Sequence, residues 1–179
     1  ADCLLKYKPK IIVVDPVMIS KSGYPLLAPE ACETLIKRLL PLATLLTPNL
    51  PETEAITGMK VKNKADMLLA AEKIIALGVK AVLVKGGHLE DQADDLLFDD
   101  KQEIWFSGKR IATKNTHGTG CTLSSSLAAN LAKGMNLADA VATSKQYVTE
   151  AIAHSLAIGS GCGPTHHFVD LYRKAGILE

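Results

Sequence analysis

A glycine-rich loop that leads into a helical run is the part of this sequence best suited to chemistry. Residues 115–134 read NTHGTGCTLSSSLAANLAKG. If a helix begins near Thr119, the backbone N–H groups of its first turn have no partner inside the helix. These groups belong to Gly118, Thr119, Gly120 and Cys121. Because glycine lets a ligand approach the backbone and the helix dipole adds positive potential, the loop predicts an anion site that suits phosphate.

The cysteine in this first turn adds a reactive group to the predicted anion site. A thiol at a helix N-terminus has its pKa lowered, which makes it a better base or nucleophile. The alternative for Cys121 is a small buried cysteine behind a tight loop that needs glycine for its dihedral angles. The loop is not a Walker A motif, because the pattern GxxxxGK[ST] is absent.

Two carboxylates follow predicted strands earlier in the chain. In the segment NLPETEAITG, Asn49 can cap a helix and Glu52, three residues later, can complete a capping box. The same Glu52 carboxylate can instead face a Mg²⁺ ion through water, since Mg²⁺ in kinases is held by one or two carboxylates plus phosphate oxygens. Asp15, at the end of KIIVVD, is a second candidate ligand. Its alternative is a strand-terminal turn with Pro16.

The segment VKGGH places a lysine and two glycines where a third strand ends. Lys85 can contact a nucleotide phosphate as a point charge. Gly86 and Gly87 can let a nucleotide lie against the backbone. The alternative is an ordinary turn with a solvated lysine and with His88 as a loop residue. The nucleotide interpretation gains weight only if this loop meets the other two at one edge of a sheet.

The elements between these loops predict an α/β fold. Buried strands are predicted at KIIVVD, ATLLT and KAVLVKGG, and a hairpin at DDLLFDDKQEIWFSGKRI with its turn near residues 99–101. Helices are predicted at APEACETLIKRLLPL, NLPETEAITG and KADMLLAAEKIIALG, after the loop at residue 118, at about 137–156 and at about 168–175. Alternating strands and helices predict a three-layer α/β sandwich, whose ligands bind at the carboxyl ends of the strands.

The composition of the chain limits the classes of partner that it can bind. A net charge of +1 and 4% aromatic residues give no surface for nucleic acid, and no apolar run reaches the length of about 20 residues that a membrane span needs. Four scattered cysteines indicate reduced thiols in a cytoplasmic protein. Cys162, His166 and His167 match no zinc-binding spacing. The 179 residues are predicted to form a single domain, and the helix-like start ADCLLKY predicts that they are the C-terminal part of a longer chain.

Four motifs, in order along the chain, resemble the hydroxymethylpyrimidine/phosphomethylpyrimidine kinases of thiamine biosynthesis, a branch of the ribokinase-like superfamily. They are DPVMISKSGYPLL, LLTPNLPETEAITG, VLVKGGH and NTHGTGCTLSSSLAANLAKG. The resemblance implies an α/β/α sandwich with a mostly parallel central sheet. It implies transfer of the γ-phosphate of ATP, with Mg²⁺, to 4-amino-5-hydroxymethyl-2-methylpyrimidine and then to its monophosphate. It adds the expectation of a homodimer.

The resemblance also implies roles for individual residues. Cys121 matches the catalytic base for the substrate hydroxyl, and the three residues before it match the anion hole. Glu52 matches the acidic end of the superfamily's N-x-x-E motif, which is tied to Mg²⁺ and phosphate, and Asp15 is expected to be its partner in that site. Val17 matches a position that lines the pyrimidine pocket beside Cys121. Contacts to ATP are implied at Lys85, Gly87, Asn49 and Thr119.

Two alternatives stay open from the sequence. The family begins with a strand and a GSDSGGGAG-like segment that helps to hold the pyrimidine, and these 179 residues lack both. The chain therefore resembles the C-terminal two-thirds of the family. One alternative is a pyridoxal/pyridoxine kinase of the same superfamily, which can also carry the cysteine. The other is a fragment that binds nucleotide without catalysing transfer.

Overall fold

The computed structural model describes residues 1–20, 23–87 and 93–178. His88, predicted to be a loop residue, lies outside these ranges. The chain divides into two compact units, Ala1–Arg110 and Ile111–Glu179, each described below by itself.

Among the described residues, the first unit contains one five-stranded sheet whose strands follow one another in chain order. The strands are β1 (Val13–Val14), β2 (Leu45–Leu46), β3 (Ala81–Val84), β4 (Asp95–Asp99) and β5 (Glu103–Phe106). The predicted strands and the hairpin are confirmed. The sheet is mixed, because β1, β2 and β3 pair in parallel whereas β3–β4 and β4–β5 pair antiparallel. The chain between β3 and β4 is too short for the crossover of a dozen or more residues that parallel strands need.

The part of this unit that the structure describes has four α-helices: α1 (Asp2–Tyr7), α2 (Pro29–Thr34), α3 (Leu50–Thr57) and α4 (Lys64–Ala76). The run predicted as one helix from Pro29 onward continues as a π-helical turn at Leu35–Leu39 and a 3-10 turn at Leu40–Leu42. Pro41 explains the change, because its ring blocks regular α-helical geometry and it has no N–H to donate. Helix α3 ends where the sequence predicts, at Gly58 with a φ of 70°.

The sheet of the first unit is buried on both faces. One face packs against α4 through Leu46, Val82, Val84 and Leu96 of the sheet and Met67, Ala70, Ala71 and Ile74 of the helix. On the opposite face, Leu45, Leu83 and Leu97 are also fully buried. Burial of both faces explains why these strands are continuous apolar runs rather than alternating patterns.

The second unit is built on two packed helices, α5 (Thr119–Ala132) and α6 (Leu137–Ala153), and ends with α7 (Val169–Lys174). Helix α5 buries Leu123, Leu127 and Leu131 at a spacing of four residues, which forms one apolar stripe. The Asn136 side chain caps α6 by accepting from the N–H of Asp139. No helix within the described ranges is both long enough and apolar enough to cross a membrane.

Candidate active site

The carboxyl edge of the first unit's sheet brings together charged residues that the sequence singled out. Asp15 follows β1, and Lys85 follows β3. The Lys85 Nζ lies 3.2 Å from the Asp15 Oδ1. Both side chains are largely buried, with 16% and 13% of their surface exposed. The expectation of a solvated lysine is therefore wrong, because Lys85 is an enclosed partner of a carboxylate.

Glu52, in the first turn of α3, is held by the capping box that the sequence predicted. The Asn49 side chain accepts from the Glu52 N–H, and the Glu52 Oε2 accepts from the Asn49 N–H at 2.9 Å. The other oxygen, Oε1, accepts from the Met18 N–H at 3.2 Å. With only 3% exposure, Glu52 is oriented by one backbone N–H on each oxygen. Each oxygen retains one lone pair for a further donor, such as a water molecule.

Burial raises the pKa of Glu52 above its ordinary value, and the nearby charge of Asp15 acts in the same direction. The N–H of Asn49, the charge of Lys85 and the N–H of Met18 oppose this rise. The carboxyl edge therefore holds two carboxylates and one ammonium group in electrostatic contact. A divalent cation would relieve the cost of keeping Glu52 ionised.

Val17 has an unusual backbone conformation next to this cluster. Its φ is 42°, in the left-handed region that branched side chains rarely adopt. The turn that it makes is followed at once by Met18, whose N–H meets the Glu52 carboxylate. The Val17 side chain is 45% exposed, which leaves it accessible to a ligand. The structure is therefore compatible with the substrate contact implied by resemblance, and it adds a strained turn that the sequence did not reveal.

The two glycines after β3 have different roles. A Cβ atom on Gly86 would lie 1.8 Å from the backbone oxygen of Asp94, so packing of the chain itself requires glycine there. A Cβ atom on Gly87 would meet no atom of the described residues within 4 Å. Gly87 is exposed, and its carbonyl accepts from the Arg110 side chain at 3.1 Å. Only Gly87 therefore offers open backbone to a nucleotide.

In the second unit, α5 begins at Thr119, as the sequence predicts. Gly118 precedes it with a φ of 81°, which explains the need for glycine. The Thr119 hydroxyl donates to the Thr116 carbonyl. Across the described residues, no protein acceptor is found for the backbone N–H groups of Gly120 and Cys121. We name Gly118, Thr119, Gly120 and Cys121 the anion-hole turn.

The Cys121 thiol is exposed rather than packed, so the alternative of a buried structural cysteine is wrong. It lines a cavity of about 900 Å³ along α5 and α6, together with Thr122, Ser125, Tyr147 and His167. In its thiolate form, an exposed cysteine next to unpaired backbone donors can accept a proton from a hydroxyl group whose oxygen attacks a bound phosphoryl group.

Asn115 contributes to the second unit in a way that sequence reasoning missed. Its side chain is buried, with 7% exposure, and its Oδ1 accepts from the Gly163 N–H at 3.0 Å. The only available signal was the glycine pair in GCGP, which lies far from Asn115 in sequence. His166 and His167 make protein hydrogen bonds. No group of three or more potential metal ligands occurs in the part of the chain that the structure describes.

The residues at the carboxyl edge fit Mg²⁺ better than a transition metal. The donors available there are the carboxylate oxygens of Asp15 and Glu52, hard ligands without thiolate or imidazole. Mg²⁺ sites of phosphotransferases use one or two such carboxylates and complete their coordination with water and phosphate. Asp15 and Glu52 are both largely buried, and the charge of Asp15 acts on Glu52, so these two carboxylates meet this requirement.

Comparison with known proteins places the chain among kinases. The sequence model of the phosphomethylpyrimidine kinase family matches residues 1–166. The hydroxymethylpyrimidine/phosphomethylpyrimidine kinase of Escherichia coli strain K12 is 46% identical over 172 residues, which cover 94% of this chain and 65% of that protein. The chain spans less than two thirds of the length of this relative and of those from Streptomyces coelicolor and Rhizobium meliloti.

Solved structures show the same fold. The crystal structure of phosphomethylpyrimidine kinase from Clostridium difficile matches with a TM-score of 0.75 and 50% identity over 84% of this chain and 61% of the other. The ADP complex of Bacillus subtilis pyridoxal kinase matches with a TM-score of 0.87 and 38% identity over 95% of this chain and 65% of the other. The chain therefore belongs to the phosphomethylpyrimidine kinase family and has a ribokinase-like α/β fold.

Proposed function

We propose that this chain carries the catalytic part of an ATP-dependent kinase that phosphorylates 4-amino-5-hydroxymethyl-2-methylpyrimidine and then its monophosphate, in thiamine biosynthesis. Relatives with that name are 43–51% identical to it over aligned stretches of 155–172 residues. The observation that carries the proposal is Cys121, an exposed thiol in the first turn of α5 beside unpaired backbone donors. Family membership and this geometry point to the same chemistry.

In the proposed reaction, the Cys121 thiolate accepts the proton of the substrate hydroxyl and becomes a thiol, as the hydroxyl oxygen attacks the γ-phosphorus of ATP. The bond from that phosphorus to the bridging oxygen of ADP breaks. The backbone N–H groups of the anion-hole turn stabilise the negative charge on the transferring group. Such fixed donors supply a large part of the catalysis of phosphoryl transfer, because they need no reorganisation during the reaction.

The first unit supplies the proposed metal and nucleotide contacts. Glu52, through water, and Asp15 would hold Mg²⁺, which would neutralise charge on the ATP phosphates. Lys85 would contact a phosphate as a point charge, and the open backbone at Gly87 would face the nucleotide. Asn49 holds the Glu52 carboxylate through the capping box and is proposed, with Thr119, to contact ATP.

A second candidate is phosphorylation of pyridoxal. It is favoured by the TM-score of 0.87 to a pyridoxal kinase, higher than that to the pyrimidine kinase structure. Both substrates are small rings that carry a hydroxymethyl group, so the same base and anion hole serve either one. Sequence identity favours the pyrimidine, at 50% compared with 38% for those two structures.

A parallel assay tests the proposal. ADP formation is measured with hydroxymethylpyrimidine, its monophosphate and pyridoxal, with the Escherichia coli relative as the positive control. Turnover with the two pyrimidines at rates well above that with pyridoxal is expected. A preference for pyridoxal would support the second candidate instead. Nucleotide binding without turnover of any of the three would show a non-catalytic fragment.

A further inference from the structure

The loop before the anion-hole turn is held by a segment from much later in the chain. The Asn115 Oδ1 accepts from the Gly163 N–H at 3.0 Å, and the His117 N–H donates to the Gly163 carbonyl at 3.1 Å. The N–H and the carbonyl of Gly163 are therefore both hydrogen-bonded, the first to Asn115 and the second to His117. These two residues flank Thr116. His117 also forms a parallel bridge with Pro164. We name residues 163–167 the clamp segment.

The clamp segment is itself fixed to α6 and to the chain that follows it. The His166 N–H donates to the Ala151 carbonyl at 2.8 Å, and the Leu156 N–H donates to the Pro164 carbonyl at 3.2 Å. The Tyr147 hydroxyl donates to the His167 carbonyl at 3.0 Å. The segment thus links the position of the loop to a 17-residue helix.

A second link runs from the clamp segment directly to the anion-hole turn. The Thr122 Oγ1 lies 2.9 Å from the His167 Nε2 and donates to the Gly118 carbonyl at 2.8 Å. Because the hydroxyl hydrogen is used on Gly118, the hydroxyl oxygen accepts from the His167 ring. The peptide group of Gly118, which sets the direction of the turn, is therefore connected to His167 through one hydroxyl.

Gly163 leaves no room for a side chain at the centre of this arrangement. A Cβ atom there would lie 2.6 Å from the Asn115 Oδ1 and 2.6 Å from the Leu156 carbonyl oxygen. Gly161, two residues earlier, has no atom within 4 Å of its Cβ position. Glycine is therefore required at Gly163, which is hydrogen-bonded to the loop, and not at Gly161.

We propose that Asn115 and Gly163 are positioning residues for phosphoryl transfer, which act by fixing the anion-hole turn through the clamp segment. This inference rests on the proposed kinase function. Backbone donors contribute to catalysis only when they already point at the developing charge, and a displacement of about 1 Å can reduce rate by about 100-fold. The two residues touch no reacting atom in this proposal.

The test uses two disruptive variants with matched controls. Gly163→Ala is compared with Gly161→Ala, which makes the same change where space is free. Asn115→Leu removes the acceptor without adding bulk at Gly163, and Asn115→Asp keeps an acceptor oxygen. For each protein, kcat and the KM for MgATP are measured with hydroxymethylpyrimidine, and amide hydrogen exchange is followed at His117 and Thr122, whose N–H groups donate to the Gly163 and Gly118 carbonyls.

We expect Gly163→Ala and Asn115→Leu to lower kcat by about 10- to 100-fold, with the KM for MgATP changed by less than about twofold. Exchange at the His117 and Thr122 amides should accelerate in both variants. Gly161→Ala should match the unmodified protein, and Asn115→Asp should recover most of the loss. If Gly163→Ala does not fold, the comparison of Asn115→Leu with Asn115→Asp tests the inference by itself.

Unchanged exchange and unchanged kcat in Asn115→Leu would overturn the inference, as would a loss of stability alone. Failure of the kinase proposal gives a different result. In that case the unmodified protein turns over no substrate, yet exchange at the His117 and Thr122 amides still reports whether the clamp segment fixes the turn.

Discussion

Replacing Glu52 by glutamine should make the stability of the protein less dependent on pH. Burial raises the pKa of Glu52, so the folded state binds this proton more tightly than the unfolded state does. In the interval between the ordinary value of 4.5 and the raised pKa, the folded state holds more protons. The free energy of unfolding therefore falls as pH rises through that interval. Glutamine cannot titrate, so the variant lacks this loss.

The structure also sets the size of the effect. Protonated Glu52 keeps two oxygens for the N–H groups of Met18 and Asn49, whereas glutamine offers one oxygen and an NH₂ group that cannot accept, so below about pH 4 the variant should be less stable than the parent by about 1–3 kcal/mol. Above that, the stability of the variant relative to the parent should rise, with a slope of at most about 1.4 kcal/mol per pH unit. Glu52→Ala leaves the N–H groups of Met18 and Asn49 without the carboxylate. It should cost about 2–4 kcal/mol throughout.

Urea unfolding followed by circular dichroism, in the presence of EDTA and from about pH 4 to about pH 8, measures this dependence. Glu72→Gln, on the exposed side of α4, is the control, because it removes one negative charge without touching a buried hydrogen bond. The difference in the free energy of unfolding between Glu52→Gln and Glu72→Gln at each pH isolates the contribution of the buried Glu52 carboxyl group. A difference that stays flat or falls with rising pH would refute the reasoning and would show that the hydrogen bonds to Glu52 outweigh its burial.

Three further substitutions test single residues. Cys121→Ser should lose most phosphoryl transfer while nucleotide affinity, measured by calorimetry, survives; a near-normal rate would exclude the thiol as the base. Lys85→Met leaves the Asp15 carboxylate without its cation, so it should lower the free energy of unfolding, measured by denaturation, by about 1–3 kcal/mol. The same variant should bind ATP more weakly, as measured by calorimetry. Gly86→Ala, with its Cβ 1.8 Å from a backbone oxygen, should cost at least about 2 kcal/mol, whereas Gly87→Ala should change stability by less than about 0.5 kcal/mol in the same denaturation experiment.

Local patterns in the sequence predicted most elements of the fold. Two of these patterns depend on residues close together in the chain, and the structure contains both. They are the capping box at Asn49 and Glu52 and the start of α5 after Gly118. The single long helix predicted from Pro29 was wrong in detail. Its last turns depart from α-helical geometry near Pro41, a residue that the prediction treated only as an end point.

The features of the site that were missed depend on contacts between distant residues. Asn115 bonds to Gly163, 48 residues away, and the Met18 N–H bonds to Glu52, 34 residues away. No spacing rule connects such pairs. The positive φ of Val17 could not be predicted for the same reason, since a β-branched residue takes that conformation only when surrounding structure imposes it.

The mass of the product formed from hydroxymethylpyrimidine and ATP tests the central claim most directly. The protein is incubated with both compounds and Mg²⁺, and the pyrimidine is analysed by mass spectrometry beside a reaction with Cys121→Ser and one with the Escherichia coli relative. We predict that the pyrimidine gains one phosphoryl group and then a second, and that the serine variant forms almost none of either product. An unmodified pyrimidine under conditions in which the relative converts it would contradict the account.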